Sequence, residues 1–169
     1  MPTIFTHPAV ALLRPWFGST VPRRALIAAA LGSILPDLDV AAFAFGIPYE
    51  HPLGHRGFTH SIAFAALYAA LCALILRVPP LFIFLCTLSH TVLDALTDGG
   101  LGVAFFSPFS NERYFFPWTP IRVSPIGAGF FSARGLETLM SEVVWVWAPC
   151  VALGLLGKYV VQRRREAGE

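Results

Sequence analysis

Charge is what this chain has least of. Only 13% of its 169 residues are Asp, Glu, Lys or Arg, about half the share of a soluble domain. Hydrophobic residues make up 56%, and the mean hydropathy is +0.65. So few ionic groups cannot coat a water-facing surface, and the balance selects a bilayer as solvent. The net charge of +2 is too small for nucleic acid to be the main partner. Cysteine is sparse as well. Cys72, Cys86 and Cys150 each lie inside an apolar run, with spacing that fits neither a zinc knuckle nor a redox pair, so they read as buried small hydrophobes. Residues 1–20 lack a basic stretch followed by a long apolar core and a small-residue cleavage site, so no signal peptide is expected. There is no internal repeat and no low-complexity tract.

What the chain does have is long apolar runs. Four stand out: Ala25 to Ile47, Thr59 to Leu76, Pro80 to Leu96 and Leu139 to Val161. Each is 17–23 residues long, enough for a helix to cross about 30 Å of hydrocarbon. Ala, Leu and Phe dominate them, and no alternation of period two suggests a barrel. A shorter apolar stretch, Thr3 to Leu13, reads as a half-helix or an interfacial helix, with Pro15 and Gly18 interrupting it. The expectation is an all-α, polytopic membrane helical bundle: one domain over residues 1–169, about four spans, a short N-terminal helix and a long aromatic loop.

Basic residues set the orientation. In a four-span arrangement Arg14, Arg23, Arg24, Arg77 and the run Lys158, Arg163, Arg164, Arg165 fall on one side, which should be cytoplasmic. The opposite side then holds the Glu50–Phe58 loop and the loop from Asp98 to about Thr138. Aromatics are too dense in that second loop for disorder, so it should pack as a cap over the helix ends.

The informative residues are the ionisable ones inside the apolar segments, where each costs several kcal/mol unless paired, solvated or metal-bound. Asp37 and Asp39 lie in Leu35-Pro36-Asp37-Leu38-Asp39. His60 opens the second segment, and His90 and Asp94 lie in the third. At about 1.5 Å per residue from the basic end of each helix, Asp37, Asp39, His60, His90 and Asp94 all fall within one slab about 10 Å thick, towards the other face. His90 and Asp94 share a helix face at i and i+4. Pro36 disrupts the first segment just before Asp37 and Asp39, and broken helices are tolerated where they line a polar cavity. The Gly57 turn could bring His55 over the same place.

Imidazole plus carboxylate without thiolate suits zinc, manganese or iron. Carboxylates able to bridge suggest one or two ions, an arrangement common in phosphoester hydrolysis. Asp37 or Asp39 would then serve as bridge or general base. Arg56 and Arg113 would assist catalysis, and Arg56, Ser110, Arg113 and Arg122 are candidates to hold a phosphate.

The motifs also carry a resemblance. Gly32-Ser33-Ile34-Leu35-Pro36-Asp37-Leu38-Asp39, His55-Arg56-Gly57-Phe58-Thr59-His60-Ser61 and Ser89-His90-Thr91-Val92-Leu93-Asp94 together resemble the inner-membrane-associated metal-dependent hydrolases, a family also labelled LexA-binding. Thr6-His7 matches that family's N-terminal motif. Pro108-Phe109-Ser110, Arg113-Tyr114-Phe115-Phe116-Pro117-Trp118 and Val123-Ser124-Pro125 match its later block. The family is distantly similar to zinc-dependent phospholipase C, whose ions are held by His and Asp. The resemblance implies His7, Asp37, Asp39, His55, His60, His90 and Asp94 as metal ligands. It also implies a multi-pass protein of the bacterial inner membrane, and the basic-residue bias puts its site on the periplasmic side.

The expected activity is metal-dependent hydrolysis of a phosphoester or lipid-linked molecule, with membrane lipids as surroundings and zinc as the leading cofactor. Two other readings compete. One is a transporter for a metal ion or proton, since intramembrane Asp and His also mark ion pathways. The other is a non-enzymatic membrane regulator, but the short cytoplasmic pieces do not point to a soluble protein partner.

Overall fold

The computed structural model describes residues 1–18, 21–125 and 127–167. Among them the chain is helical, with no strand and two isolated bridges, Thr97 with Ile121 and Val103 with Tyr114. Five α-helices carry the fold: α1 (Arg23–Gly32), α2 (Ile62–Leu76), α3 (Pro80–Ala95), α4 (Ala133–Glu142) and α5 (Ala148–Glu166). A π-helical turn, Val143–Trp147, joins α4 to α5. Two 3₁₀ segments, His7–Phe17 and Leu35–Phe45, carry polar residues into the interior.

Among the described residues two helical runs are long and apolar enough to cross a membrane, Arg23–Phe45 and Ala133–Glu166. α2 and α3 are apolar but shorter. The expected second segment loses its first residues for a local reason, while the third starts at Pro80 as expected. Ser61 is extended and its hydroxyl accepts from the Phe64 amide at 3.0 Å, so α2 starts after it, and the preceding Phe58–His60 turn tightens to a 3₁₀ pitch. Pro80 starts α3 where its missing N–H costs nothing.

Three boundaries depart from expectation. The N-terminal helix runs from His7 to Phe17, not Thr3 to Leu13; it continues through Pro15 and ends at Gly18, whose φ is +99°. The first long apolar segment breaks at Ser33–Ile34, ahead of Pro36, where the Ser33 hydroxyl turns back to the Ala30 carbonyl at 2.8 Å. The long loop ends at Ser132, because α4 already begins at Ala133.

The core below the polar residues is made of small and aromatic side chains: Ala25, Ala28 and Ala29 from α1, Ala69 and Cys72 from α2, and Phe82, Ile83 and Cys86 from α3. Small residues bring the backbones close. A Cβ on Gly32 would stand 2.4 Å from both Thr87 Oγ1 and Tyr68 Cε1, so only glycine lets α1 end in the cleft between α2 and α3. That fit places the Ser33 carbonyl against α3.

The loop after α3 is held by backbone hydrogen bonds to the end of α3 and to the turn at Arg56. Phe116 N donates to Ala95 O, Ile121 N to Leu96 O, and Ala104 N to Arg56 O, at 3.0, 3.2 and 3.0 Å.

Candidate metal centre

Four elements converge on one buried cluster. The N-terminal 3₁₀ segment supplies His7, the Leu35–Phe45 segment Asp37, the turn before α2 His60, and α3 both His90 and Asp94. His7, His60, His90 and Asp94 are each 0% exposed and Asp37 is 7% exposed. One donor atom from each of Asp37, His60, His90 and Asp94 lies within 4.8 Å of all the others.

Hydrogen bonding on the far side of each ring fixes which nitrogen faces the cluster. His90 Nδ1 lies 2.7 Å from the Ser33 carbonyl oxygen. A carbonyl only accepts, so Nδ1 carries a proton, and the neutral ring then offers Nε2 as a lone pair. His60 Nδ1 lies 3.0 Å from Asp39 Oδ2, with the same consequence. The two Nε2 atoms then face each other across 3.0 Å. Around them stand Asp37 Oδ1, at 3.4 Å from His90 and 3.6 Å from His60, and Asp94 Oδ2, at 4.0 and 3.4 Å. Lone pairs and anionic oxygens aimed at one point repel unless a cation lies between them. Tetrahedral donors about 2.0–2.1 Å from one zinc-sized ion stand roughly 3.4 Å apart, within the spread of these distances.

The other oxygens of the two carboxylates point the opposite way. Asp37 Oδ2 and Asp94 Oδ1 each lie 3.9 Å from His7 Nε2, and His7 stacks on His90 with ring centroids 3.8 Å apart. Apart from the Arg56 guanidinium, which lies 3.0 Å from Asp94 Oδ2, the four carboxylate oxygens and both His7 nitrogens have no polar partner at hydrogen-bond distance outside the cluster among the described residues. Buried polar atoms are rarely left so. Unpartnered donors on both faces of two carboxylates fit a site for one or two divalent ions.

Asp39 has a different role from Asp37. The 3₁₀ pitch between them turns the two carboxylates to opposite sides of His60. Asp39 accepts from His55 Nδ1 at 2.7 Å, His60 Nδ1 at 3.0 Å, the Thr59 hydroxyl at 2.6 Å and the Arg56 amide at 3.1 Å. Asp39, His55 and His60 are also close enough to share an ion. Four donors already fill the carboxylate's acceptor sites, so Asp39 is placed to orient the two imidazoles, as carboxylates behind metal-binding histidines do.

Arg56 is the buried counter-charge. Its side chain is 1% exposed, and Nε lies 3.0 Å from Asp94 Oδ2. The guanidinium also donates to Gly99 O and Thr97 Oγ1, at 2.9 and 3.0 Å. Its backbone is left-handed, with φ at +61°, which directs the side chain inward while the Arg56 amide still reaches Asp39.

The remaining candidates are not brought to the cluster. Arg113 is occupied by backbone: it donates to His55 O and Tyr49 O at 2.9 and 2.8 Å and lies over the Tyr49 ring. Burial lowers the Arg113 guanidinium from its usual value and raises the Tyr49 phenol. Arg122 is exposed and paired with Asp98 at 2.7 Å. Burial alone would raise the Asp98 carboxyl, but hydrogen bonds from Arg122 and the Val123 amide hold it below the usual carboxylate value. Ser110 accepts from the Glu112 amide at 3.3 Å in the outer loop. Neither Ser110 nor Arg122 touches a cluster residue among the described residues.

One residue escapes sequence reasoning. Glu142, fully buried in the long C-terminal helical run, accepts from the Thr3 amide and from the Thr3 and Thr6 hydroxyls, the latter two at 2.6 Å. Trp147 Nε1 donates to Thr6 at 2.9 Å. These bonds pin the segment that carries His7. The signal available was one acid in an apolar helix, with partners 136 to 139 residues away.

Residues 1–165 match the family of the YdjM inner membrane protein. The chain belongs to that family. It is 42% identical over 164 residues to the inner membrane protein YbcI of Escherichia coli (strain K12), covering 90% of this chain and 95% of that protein. The YdjM description agrees with the bilayer read from composition and with the two membrane-length helices. Neither printed name carries an activity, a LexA-binding label or a likeness to phospholipase C. No solved structure matches the chain.

Proposed function

We propose that this YdjM family member is a multi-pass, metal-dependent hydrolase of the inner membrane, acting on a phosphoester or lipid-linked molecule. One observation carries the reading: the carboxylates of Asp37 and Asp94, with Asp94 Oδ2 ion-paired to Arg56 and the other three oxygens unpartnered, stand between His60 and His90 on one face and His7 on the other. Asp37 Oδ1, Asp94 Oδ2, His60 and His90 would hold one ion. Asp37 Oδ2, Asp94 Oδ1 and His7 would hold a second, with the carboxylates bridging. Nitrogen and oxygen donors without sulfur favour zinc, with manganese or iron as alternatives. A bound ion of this kind would supply a water nucleophile near neutral pH and polarise a phosphoryl oxygen.

The protein's own groups have separable tasks. Arg56 offsets the charge of Asp94. Asp39 and His55, 2.7 Å apart, form an acid–base pair beside the cluster, with Asp39 orienting the ring. The cluster is closed to bulk water. A cavity of about 210 Å³, lined by Met1, Thr3, Phe5, Val40, Ser124 and Phe130, opens beside the segment carrying His7 and suits an apolar substrate portion. The resemblance to metal-dependent hydrolases and to zinc-dependent phospholipase C supports the same reading, as does the proximity that a membrane protein has to lipid headgroups. Four spans, with the site on the periplasmic side, complete the proposal. Transport is the weaker alternative, because the described core below the cluster is apolar and offers no polar path.

The test is metal analysis of the purified protein together with hydrolysis of lipid phosphoesters. The native protein should retain zinc, manganese or iron, while His90→Ala and Asp94→Asn should lose the metal and at least about 100-fold of the activity. A native protein without metal after growth in all three, together with no effect of His90→Ala, overturns the proposal.

A further inference from the structure

A second site lies at the basic end of the molecule, away from the His/Asp cluster. It is built where the N-terminal 3₁₀ segment packs along α5. Gly154 and Gly157 permit that packing: a Cβ on Gly154 would stand 2.7 Å from the Leu12 carbonyl oxygen, and one on Gly157 2.8 Å from Trp16 Nε1. Trp16 Nε1 donates to Leu153 O at 2.9 Å, closing the contact.

The same α5 face continues past the contact. Lys158, Val161, Gln162 and Arg165 follow at helical spacings of three, four and seven, so their side chains share one stripe. With Arg14 from the other element they line a cavity of about 400 Å³. No acidic residue lines it, and among the described residues Arg14, Lys158 and Arg165 make no ion pair. Three cations around one cavity repel each other unless an anion joins them. Gln162 adds a neutral donor.

The depth of the cavity identifies the source of the anion. Trp16 and Tyr159, 50% and 56% exposed, flank the apolar faces of the two elements. Such aromatics mark the membrane–water interface. Arg163, by contrast, is turned away: it lies over the Tyr159 ring at 5.4 Å and pairs with Glu166 at 3.8 Å.

We propose that the Arg14–Lys158–Gln162–Arg165 cavity binds the phosphate-bearing headgroup of an anionic membrane lipid. Basic pockets between membrane helices recognise such headgroups. Bound lipid bridges the N-terminal segment to α5, the same two elements that Gly154 and Gly157 bring together.

The experiment uses the full-length protein in nanodiscs of phosphatidylcholine with and without phosphatidylglycerol, reading bound lipid by native mass spectrometry and unfolding temperature. Native protein should retain phosphatidylglycerol and unfold at higher temperature in its presence. Lys158→Gln with Arg165→Gln should weaken retention about 30-fold. Lys158→Arg should preserve it, and so should Arg163→Gln with Arg164→Gln, which removes equal charge outside the cavity. Equal behaviour of the two disc types overturns the proposal, as does an equal loss from the Arg163/Arg164 variant. If inorganic phosphate alone in phosphatidylcholine discs reproduces the whole stabilisation, the anion is soluble and the lipid assignment fails.

Discussion

His60 is the residue on which the two halves of the centre turn. Its Nδ1 is tied to Asp39 and its Nε2 faces Asp37, His90 and Asp94. A change at Asp39 therefore reaches the cluster without touching it. Asp39→Asn keeps the shape but can no longer hold both imidazoles in one tautomer. Loss of such a partner typically costs 10–100-fold in metal affinity, so Asp39→Asn should bind metal about that much more weakly in a chelator competition, whereas Asp94→Asn should lose it. Unchanged affinity would remove Asp39 from its orienting role. His55 separates two roles in the same way. As a proton acceptor beside the cluster, His55→Ala should retain the metal and lose about 10²–10⁴-fold in hydrolysis rate. If metal leaves with the side chain, His55 is a ligand.

At the scale of elements, the centre depends on segments that regular helices could not supply. The depth of Asp37, His60, His90 and Asp94 was legible because apolar runs expose their ionisable residues and helical rise is fixed. The break at Ser33–Ile34 and the 3₁₀ pitch of Leu35–Phe45 were not, since Pro36 marks a disruption without saying where it starts. The resemblance named His7, but helical depth did not show how it enters. That entry depends on Glu142 holding Thr3 and Thr6 from the opposite end of the chain, and no local pattern encodes so distant a bond. Glu142→Ala leaves that segment's buried donors unpaired and should destabilise the fold by about 1–3 kcal/mol or more, read as a lower unfolding temperature; any folded fraction should hold less metal at the His7 side. The Asp98–Arg122 pair, exposed at the joint between loop and α4, should matter far less, because solvent screens it. Its sign is fixed. The Asp98 carboxyl is held below its usual value, so its contribution is present above about pH 4 and lost as acidification passes through the folded value. Unfolding temperatures of native protein and Asp98→Asn should differ at pH 7 and converge as acidification takes the Asp98 carboxyl through its lowered folded-state value; a constant gap would show that the ion pair is not the cause.

For the molecule as a whole, the arrangement sets a charge problem inside an apolar fold. Asp37, Asp94 and three imidazoles meet in a space closed to water, with Arg56 as the described counter-charge in contact. Composition announced a membrane protein, but not how the interior charge is balanced, because balance depends on which oxygens face which rings. Without an ion, the carboxylates keep unpartnered oxygens and the fold bears their desolvation. With one, the same atoms tie the N-terminal segment, the Leu35–Phe45 segment, the turn before α2 and α3 together. Metal binding is then coupled to stability across the bundle. A ligand at 100 times its dissociation constant stabilises a fold by about 2.7 kcal/mol. Stripping the purified protein with a strong chelator should therefore lower the unfolding temperature by several degrees, and zinc should restore it. In Asp94→Asn the chelator should change nothing, since the carboxylate that needed the ion is gone. Arg56→Ala makes the converse case: Asp94 then loses the guanidinium 3.0 Å away and depends more on the ion, so this variant should fall further than native protein when stripped and recover more when zinc returns. An equal response of native protein and Arg56→Ala would mean that Arg56 and the ion do not share the charge of Asp94.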